Sequence, residues 1–252
     1  MTIDAPKPWQ IPLLRQLWQE AFGDSDAFLD SFFSLGFSAE RCRCVTEEDR
    51  VTAALYWFDC SCDGRKIAYL YAVATAASHR GKGLFSTLLA DTKEVLKEAG
   101  FDGILLVPEN EALGRMYEKF GFTACTTVDT FSVKAGANAI DLREIGADEF
   151  ARLRKAFLPQ GAVIQEGAAL AFLSSQCHFW TAPDFLAVGQ VYDGKLVCME
   201  FLGNRMAAEG LLRALETAEG TFRSPGEQQP FAWLLPLHTG CARPEYFGLA
   251  LD

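Results

Sequence analysis

The residues Arg80-Gly81-Lys82-Gly83 stand between an apolar run and a segment with helical periodicity. The apolar run, Ile67 to Thr75, is typical of a strand that is covered on both faces. The segment from about Gly83 to Ala99 has apolar residues three and four positions apart, which predicts a helix that ends at Gly100. The two glycines of the connection let the backbone turn sharply and approach a ligand closely.

A turn of this kind can bind an anion. The first N–H groups of a helix have no intrahelical acceptor, and they carry the positive end of the helix dipole. Arg80 and Lys82 add two full positive charges to the same turn. The turn is neither a P-loop nor a dinucleotide-binding turn with three spaced glycines. By themselves these residues predict an anion site, with a plain strand-to-helix connection as the alternative.

A second motif follows further along the chain. A predicted strand, Gly103 to Val107, leads to Asn110, which stands at the expected N-cap of the next helix. That helix carries Tyr117 and closes on Phe120-Gly121-Phe122. Because Tyr117 shares one helix face with apolar residues, a purely structural aromatic is the alternative to a functional tyrosine.

Together, the two motifs resemble those of the GCN5-related N-acetyltransferases, or GNAT superfamily. The pyrophosphate loop of that family has the pattern Arg/Gln-x-x-Gly-x-Gly/Ala, which residues 80–84 fit and from which Phe85 departs. Its second signature is an Asn, a Tyr seven residues later and then Gly-Phe, and Asn110, Tyr117 and Gly121-Phe122 match with that spacing. At Phe85 a Cβ and a ring must point away from any ligand that approaches this amide.

The resemblance implies the α+β fold of the acyl-CoA N-acyltransferases, with a mixed sheet, and acetyl-CoA as cosubstrate without a metal. The loop would hold the pyrophosphate of coenzyme A, and the edge of the preceding strand would bind the pantetheine arm between two splayed strands. A backbone N–H there would polarise the acetyl carbonyl. The cofactor-binding residues expected on this basis are Val73, Ala74, Thr75, Arg80, Gly81, Lys82, Gly83, Leu84, Phe85, Ser86 and Asn110.

The resemblance also assigns a catalytic role to Tyr117, as the general acid that protonates the departing thiolate. A general base is not evident, because the strand 67–75 carries no carboxylate. Glu109, Glu200, the terminal carboxylate of Asp252 and a chain of water molecules are the candidates. The predicted function is transfer of an acetyl group to a primary amine of a small molecule or peptide. The alternative is an acyl-CoA-binding regulatory module without turnover, suggested by Phe85 and by the missing base.

Two predicted helices, Trp9 to Phe22 and about Asp26 to Leu35, precede these motifs. In the resembled family they flank the acceptor side of the cleft. Four acidic residues there could attract an amine, although a solvated helix face is the alternative for each: Glu20, Asp24, Asp26 and Asp30. The acceptor itself is not determined by the motifs, because loops select it.

Two Cys-x-Cys pairs, Cys42/Cys44 and Cys60/Cys62, suggest a zinc site, but the predicted secondary structure opposes it. Residues 41–46 and 51–62 form a predicted hairpin, in which Cys60 would lie roughly 23 Å from Cys44 at ~3.3 Å per residue. Four thiolates cannot share one metal over that distance. The expectation is no metal site and eight free thiols.

The chain also reads as two copies of one unit. Residues 1–135 are predicted to form a catalytic GNAT domain, which Phe122 to Lys134 closes as one or two strands. Residues 136–252 resemble a weakened copy: a hairpin at Asp193-Gly194 echoes one at Asp63-Gly64, and a strand from Phe231 to Pro236 echoes the strand of residues 103–108. Since this half lacks the glycine loop, it is predicted to be a degenerate GNAT-like capping domain that ends in a strand from Tyr246 to Leu251. An unrelated α+β cap is the alternative.

The composition limits the partners. Half of the 252 residues are hydrophobic, so a sizeable core can form, and the net charge of −10 argues against nucleic acid and anionic membrane surfaces. No apolar run reaches transmembrane length and the N-terminus does not resemble a signal peptide, so a cytoplasmic location is expected. A small-molecule or peptide amine is the expected partner, while homodimer formation and acyl-chain length stay open.

Overall fold

The computed structural model describes residues 1–251 of the chain. It divides into two compact units. Unit 1 comprises Met1–Thr123 and Leu234–Ala242, and unit 2 comprises Ala124–Trp233 and the C-terminal segment from Arg243. Each unit is built around its own β-sheet.

The elements that the first part of the chain forms are, in order, β1 (Thr2–Asp4), α1 (Ile11–Phe22), α2 (Asp26–Ser31), β2 (Cys42–Glu47), β3 (Arg50–Cys62), β4 (Arg65–Thr75), α3 (Leu84–Glu98), β5 (Phe101–Leu106), α4 (Glu111–Glu118) and β6 (Thr123–Ala124). The elements that follow are β7 (Thr127–Lys134), β8 (Arg143–Ile145), α5 (Ala147–Phe157), β9 (Ile164–Gln165), α6 (Ala168–Leu173), β10 (His178–Ala182), β11 (Phe185–Tyr192), β12 (Lys195–Gly203), α7 (Ala208–Ala214), β13 (Glu219–Pro225), β14 (Gln229–Pro230) and β15 (Trp233–Pro236).

The sheet of unit 1 has the strand order β1-β2-β3-β4-β5-β15-β6. Strands β1 to β4 are antiparallel to their neighbours, whereas β4 and β5 are parallel. The parallel pairing runs from Lys66 opposite Phe101 to Tyr69 opposite Leu105, and β4 then continues to Thr75 without β5. The two strands therefore part after Tyr69, which leaves a strand gap along the C-terminal half of β4.

The backbone of β4 is also irregular at the gap. The register between β3 and β4 shifts between Ala54 and Tyr56, and Ala72 has a φ of 50°. A bulge of this kind bends a strand and re-aims its side chains, and bulges are frequent next to active sites. The bulge makes β4 diverge from a regular ladder at the residues that border the gap.

Local sequence signals account for the hairpins and helix ends of unit 1. The β3–β4 turn has positive φ at both Asp63 and Gly64, as the predicted two-residue hairpin requires. Helix α3 buries an apolar stripe that includes Leu88, Leu89 and Leu96, and it ends before Gly100, whose φ is 77°. These predictions are confirmed.

The second predicted helix is shorter than expected. Helix α2 ends at Ser31, and Phe32–Gly36 form a π-helical turn in which the N–H of Phe37 donates to the carbonyl of Phe32 at 2.8 Å. The ring of Phe32 packs 4.5 Å from that of Trp18 in α1. Aromatic packing against α1 therefore accompanies the widened turn, and π-helical turns are frequent at functional sites.

Unit 2 repeats the order of elements seen in unit 1. Its sheet has the order β14-β7-β13-β12-β11-β10-β8, so that β8, β10, β11, β12 and β13 correspond to β1 to β5. The pair β12–β13 is again parallel, α7 lies between its two strands in the chain, and its pairing stops at Cys198 opposite Phe222. This topology supports the predicted internal repeat.

Three strand predictions are wrong in their details. Strand β7 pairs with β13 and β14 in unit 2 instead of closing the first sheet, and β15 lies beside β5 in unit 1. The place that the sequence assigns to β15 in the repeat belongs to β13, for which the sequence predicts no strand. Residues 246–251 form no strand, although they are buried. A local apolar pattern identifies a strand but does not determine its neighbour.

Within residues 1–251, no helix combines the length and apolar character that crossing a membrane requires.

Candidate active site

The glycine turn leads from β4 into α3. Gly81 and Gly83 have φ values of 75° and 78°, the left-handed region that favours glycine, and Gly83 is the N-cap of α3. No atom lies within 4 Å of the position that a Cβ would take at either glycine. The turn is therefore an open cradle, and the first N–H groups of α3, which lack intrahelical acceptors, border it.

Two cations flank the cradle. Arg80 and Lys82 are both exposed, and the Nε of Arg80 donates to the carbonyl of Thr75 at 3.2 Å, which ties the guanidinium to the end of β4. Ser86 is also exposed in the first turn of α3, whereas Leu84 is buried. Backbone N–H groups, a helix N-terminus and two cations make this turn suitable for a pyrophosphate.

Phe85, the residue that departs from the family pattern, does not fill the cradle with its ring. Its ring centroid lies 5.8 Å from that of Tyr117 and 4.9 Å from that of Phe120, both in edge-to-face geometry. The ring therefore packs against Tyr117 of α4 and against Phe120, and it does not lie over the glycine turn.

Residues Val73, Ala74 and Thr75 lie along the strand gap. Ala74 pairs with Ala54 and Thr75 with Ala53 on β3, while the pairing with β5 has already ended at Tyr69. The backbone groups of residues 73–75 that face the β5 side are therefore not paired with β5. An extended ligand can pair with such an edge in the manner of an added strand.

Asn110 is the N-cap of α4, as the sequence predicts. Its Oδ1 accepts a hydrogen bond from the N–H of Leu113 at 3.1 Å, and the residue is exposed. Its placement beside a cofactor stays a prediction.

Tyr117 is half-buried on α4. Its ring lies edge-on to those of Phe85 and Phe122, with 5.5 Å between the last pair of centroids. Burial raises the pKa of Tyr117 to about 12. Its hydroxyl has no hydrogen-bond partner within the described part of the chain. At neutral pH it is therefore a protonated donor.

The candidate bases differ in their surroundings. Glu109 is exposed next to Asn110, and Asp252 lies outside the described residues. Glu200 is buried in unit 2, where its two oxygens accept from the guanidinium of Arg154 at 2.6 and 2.8 Å and one of them also accepts from the hydroxyl of Tyr246 at 3.1 Å. A carboxylate engaged in this way is a structural ion pair, which removes Glu200 as a candidate base.

The four acidic residues of α1, α2 and the loop between them all have partners within unit 1. Asp24 accepts from the indole N–H of Trp18 at 2.8 Å, Asp26 from the side chain of Gln19 and Asp30 from Arg15, both at 2.7 Å. Glu20 Oε1 accepts from the backbone N–H of Ala77 at 2.7 Å, in the turn that follows β4. Nothing in the sequence pattern signals this anchor of Glu20 on the loop.

The Cys-x-Cys pairs lie on strands, as predicted. Cys42 and Cys44 lie on β2, Cys60 and Cys62 lie on β3, and all four are buried thiols. Burial raises the pKa of Cys42 and Cys44. Among residues 1–251 no group of three or more His, Cys, Asp or Glu residues is arranged to hold a metal ion.

A mixed sheet with a strand gap, followed by a glycine turn at a helix N-terminus, is the architecture of an acyl-CoA N-acyltransferase. Residues 3–125 match the family model described as an acetyltransferase (GNAT) domain. This segment is therefore a GNAT acetyltransferase domain, which places the enzymatic part of the chain in the acyltransferase class. Members of the superfamily use acetyl-CoA and act on amine acceptors.

Solved structures extend the likeness over both units. A GCN5-related N-acetyltransferase from Anabaena variabilis ATCC 29413 has a TM-score of 0.75 at 15% identity, over 94% of this chain and 73% of that one. One from Kribbella flavida has a TM-score of 0.70 at 18% identity, over 94% and 72%. A putative acetyltransferase from Pyrococcus horikoshii has a TM-score of 0.61 at 14% identity, over 99% and 94%. No curated protein sequence matches this chain.

Proposed function

We propose that the chain is an N-acetyltransferase that transfers an acetyl group from acetyl-CoA to a primary amine of a small molecule or peptide. The observation that carries this proposal is that the strand gap and the open glycine turn follow one another on β4 and α3. An extended arm can pair with β4 at residues 73–75, and the phosphates attached to it then meet the cradle of residues 80–83.

Acetyl-CoA supplies the activated acetyl group as a thioester, and the chain's residues fit its parts. Arg80, Lys82 and the first N–H groups of α3 suit the pyrophosphate. Backbone groups of β4 at the gap suit the pantetheine arm, and an N–H there stabilises negative charge as it develops on the carbonyl oxygen. Asn110 stands at the start of α4, where its exposed side chain suits a contact with the same ligand.

In the proposed reaction the amine nitrogen forms a bond to the carbonyl carbon, and the carbon–sulfur bond breaks. The hydroxyl of Tyr117 gives its proton to the departing sulfur, which its raised pKa permits because the group stays protonated at neutral pH. The nitrogen loses a proton to water, directly or through Glu109, and water returns a proton to Tyr117. Of the carboxylates considered as base, Glu109 is exposed and free of a buried ion pair.

Thioester cleavage tests the proposal. The full chain is mixed with acetyl-CoA and a panel of primary amines, and release of the free thiol and formation of the N-acetyl product are both measured. We expect the two to appear in equal amounts and only when an amine is present. Binding of acetyl-CoA without product for any amine would instead favour the regulatory module.

The packing of Phe85 weakens the argument for that module. The departure from the family pattern suggested a loop that had lost function, but the ring contacts Tyr117 and Phe120. Retention of Tyr117 beside it favours turnover. The case for a regulatory module therefore rests only on the lack of an evident general base. A chain of water molecules can take the role of that base.

For unit 2 we propose a degenerate GNAT-like domain that caps the catalytic one and binds no acyl-CoA. Its connection from β12 to α7 holds one left-handed glycine, Gly203, and a short 3-10 turn in place of the cradle. Arg223 on β13 donates both to the carbonyl of Met199 on β12 and to that of Gly248, so the C-terminal segment lies where β12 and β13 part. Calorimetric titration should give one acetyl-CoA per chain, and two would contradict this assignment.

A further inference from the structure

Aromatic rings from α1, the π-helical turn with the residue that follows it, and β4 pack against one another in one cluster, here called the aromatic wall. Its members are Trp18, Phe22, Phe32, Phe33, Phe37 and Tyr71. The centroids of neighbouring rings lie 4.5 to 5.8 Å apart. All six rings belong to unit 1.

The wall is more exposed than a core needs. Trp18 and Phe32 are buried, but Phe22 is 46% exposed, and Phe33, Phe37 and Tyr71 are half-buried. Leu35 in the π-helical turn adds a further apolar side chain that is 41% exposed. The exposed parts of these side chains are apolar area of the kind found at binding surfaces, and they are linked through the buried rings of Trp18 and Phe32.

One end of the wall lies at the strand gap. Tyr71 follows Tyr69, the last residue of β4 that pairs with β5, and its ring is 5.8 Å from that of Trp18. Helix α1 is fixed beside the gap at a second point, because its Glu20 accepts the N–H of Ala77 in the turn after β4. The half-buried ring of Tyr71 therefore lies where the strand gap begins.

The carboxylates near the wall have hydrogen-bond partners within unit 1, and among Glu20, Asp24, Asp26 and Asp30 the ion pair is that of Asp30 with Arg15. The partners of these four carboxylates are a backbone N–H, an indole, an amide and a guanidinium. What this face offers a ligand is aromatic area, which binds flat apolar groups by stacking and edge-on contacts. The local π-helical turn at Phe32–Gly36 is consistent with a functional role for this face.

Resting on the proposed acetyl transfer, we infer that the acceptor is a primary amine that carries an aromatic group. The ring packs on the aromatic wall and the amine extends to the strand gap. A small polar amine gains nothing from the wall and is a poor acceptor.

Phenethylamine and ethanolamine serve as probes with and without a ring. At saturating acetyl-CoA we expect kcat/KM for phenethylamine to exceed that for ethanolamine by at least about tenfold, as burial of an aromatic side chain allows. Phe22→Ala and Phe33→Leu should each lower this ratio severalfold and leave the KM for acetyl-CoA unchanged. Tyr192→Ala, which removes a 59% exposed ring from unit 2, is the matched control and should leave the ratio unchanged.

Equal kcat/KM for the two amines, or a ratio that neither variant lowers, would overturn the inference and leave the proposed function intact. Saturation-transfer NMR of phenethylamine on the full chain tests the wall without turnover. A ring signal that weakens in Phe22→Ala supports the wall, and the absence of a ring signal overturns it. A retained signal without acetyl transfer to any amine contradicts the proposed function and supports the wall.

Discussion

The ring of Phe85, in the first turn of α3, packs edge-on against the ring of Tyr117 in α4, with 5.8 Å between their centroids. The contact joins the helix that starts at the glycine turn to the residue proposed as general acid. It also explains how a bulky residue is accommodated next to a cradle that needs small ones, since the ring is held by α4. The glycine turn and Tyr117 are therefore connected by direct packing of the Phe85 ring.

Acetyl-CoA should raise the melting temperature of the protein, because a ligand that binds only the folded state stabilises it. Gly83→Asp should abolish this shift, since it adds a side chain and a negative charge to the open cradle. Gly100→Asp is the matched control: it makes the same change at a φ of 77°, with open space around it, at the other end of α3. Thermal unfolding with and without acetyl-CoA measures the shift in melting temperature for both variants. An undiminished shift for Gly83→Asp would show that the ligand binds elsewhere.

Tyr117→Phe keeps the ring contacts with Phe85 and Phe122 and removes only the hydroxyl. With saturating acetyl-CoA and chemistry rate-limiting, turnover should fall by ~10²-fold or more while the affinity for acetyl-CoA holds. The loss is confined to the transition state, because the thiolate then leaves unprotonated. Amine acceptors of lower basicity provide a control, since they leave the departing group unchanged. An unaltered turnover number would leave Tyr117 with a packing role only.

The stability of the protein at alkaline pH should depend on the same hydroxyl. The pKa of Tyr117 is raised to about 12, against about 10 in an unfolded chain. The folded protein therefore keeps this proton where the unfolded chain loses it, and the resulting stability is present below pH ~10 and lost as pH rises through ~12. The free energy of unfolding of wild type relative to Tyr117→Phe should fall by about 2–3 kcal/mol across that window.

Urea unfolding at a series of pH values measures this difference. Tyr192→Phe, at a side chain that is 59% exposed, is the control for removal of a tyrosine hydroxyl. A difference between wild type and Tyr117→Phe that stays constant with pH would contradict the burial of the hydroxyl.

Glu20 should act as an anchor of the cofactor loop, not as an attractor of amines. Glu20→Ala removes the acceptor for the N–H of Ala77 and should raise the KM for acetyl-CoA about fivefold, in line with a hydrogen bond worth about 1 kcal/mol. Glu20→Gln should restore near wild-type values, since an amide oxygen also accepts. Gln16→Ala, an exposed change on the same helix, is the control. Equal defects in both Glu20 variants, with a raised KM for the amine, would point to charge instead.

The sequence alone determined the features that depend on a few neighbouring residues. The hairpin at Asp63-Gly64 needs positive φ at both positions, and the N-cap at Asn110 needs a short side-chain acceptor. The glycine turn and the Asn–Tyr spacing of residues 110 and 117 likewise indicated the family without a structure. Such signals are local, because the backbone geometry and the first hydrogen bonds of an element are set within one or two turns of chain.

Tertiary structure decided what lies next to what. The patterns of β7 and β15 predict both as strands, but each belongs to the other sheet, not to the sheet predicted for it. The pattern does not select the neighbour, because ladder hydrogen bonds come from backbone groups that all residues share. The direction of the Phe85 ring, the engagement of Glu20 by Ala77 and the ion pair that removes Glu200 as a base are likewise long-range contacts. Their partners are distant in sequence, and only packing of the whole unit brings them together.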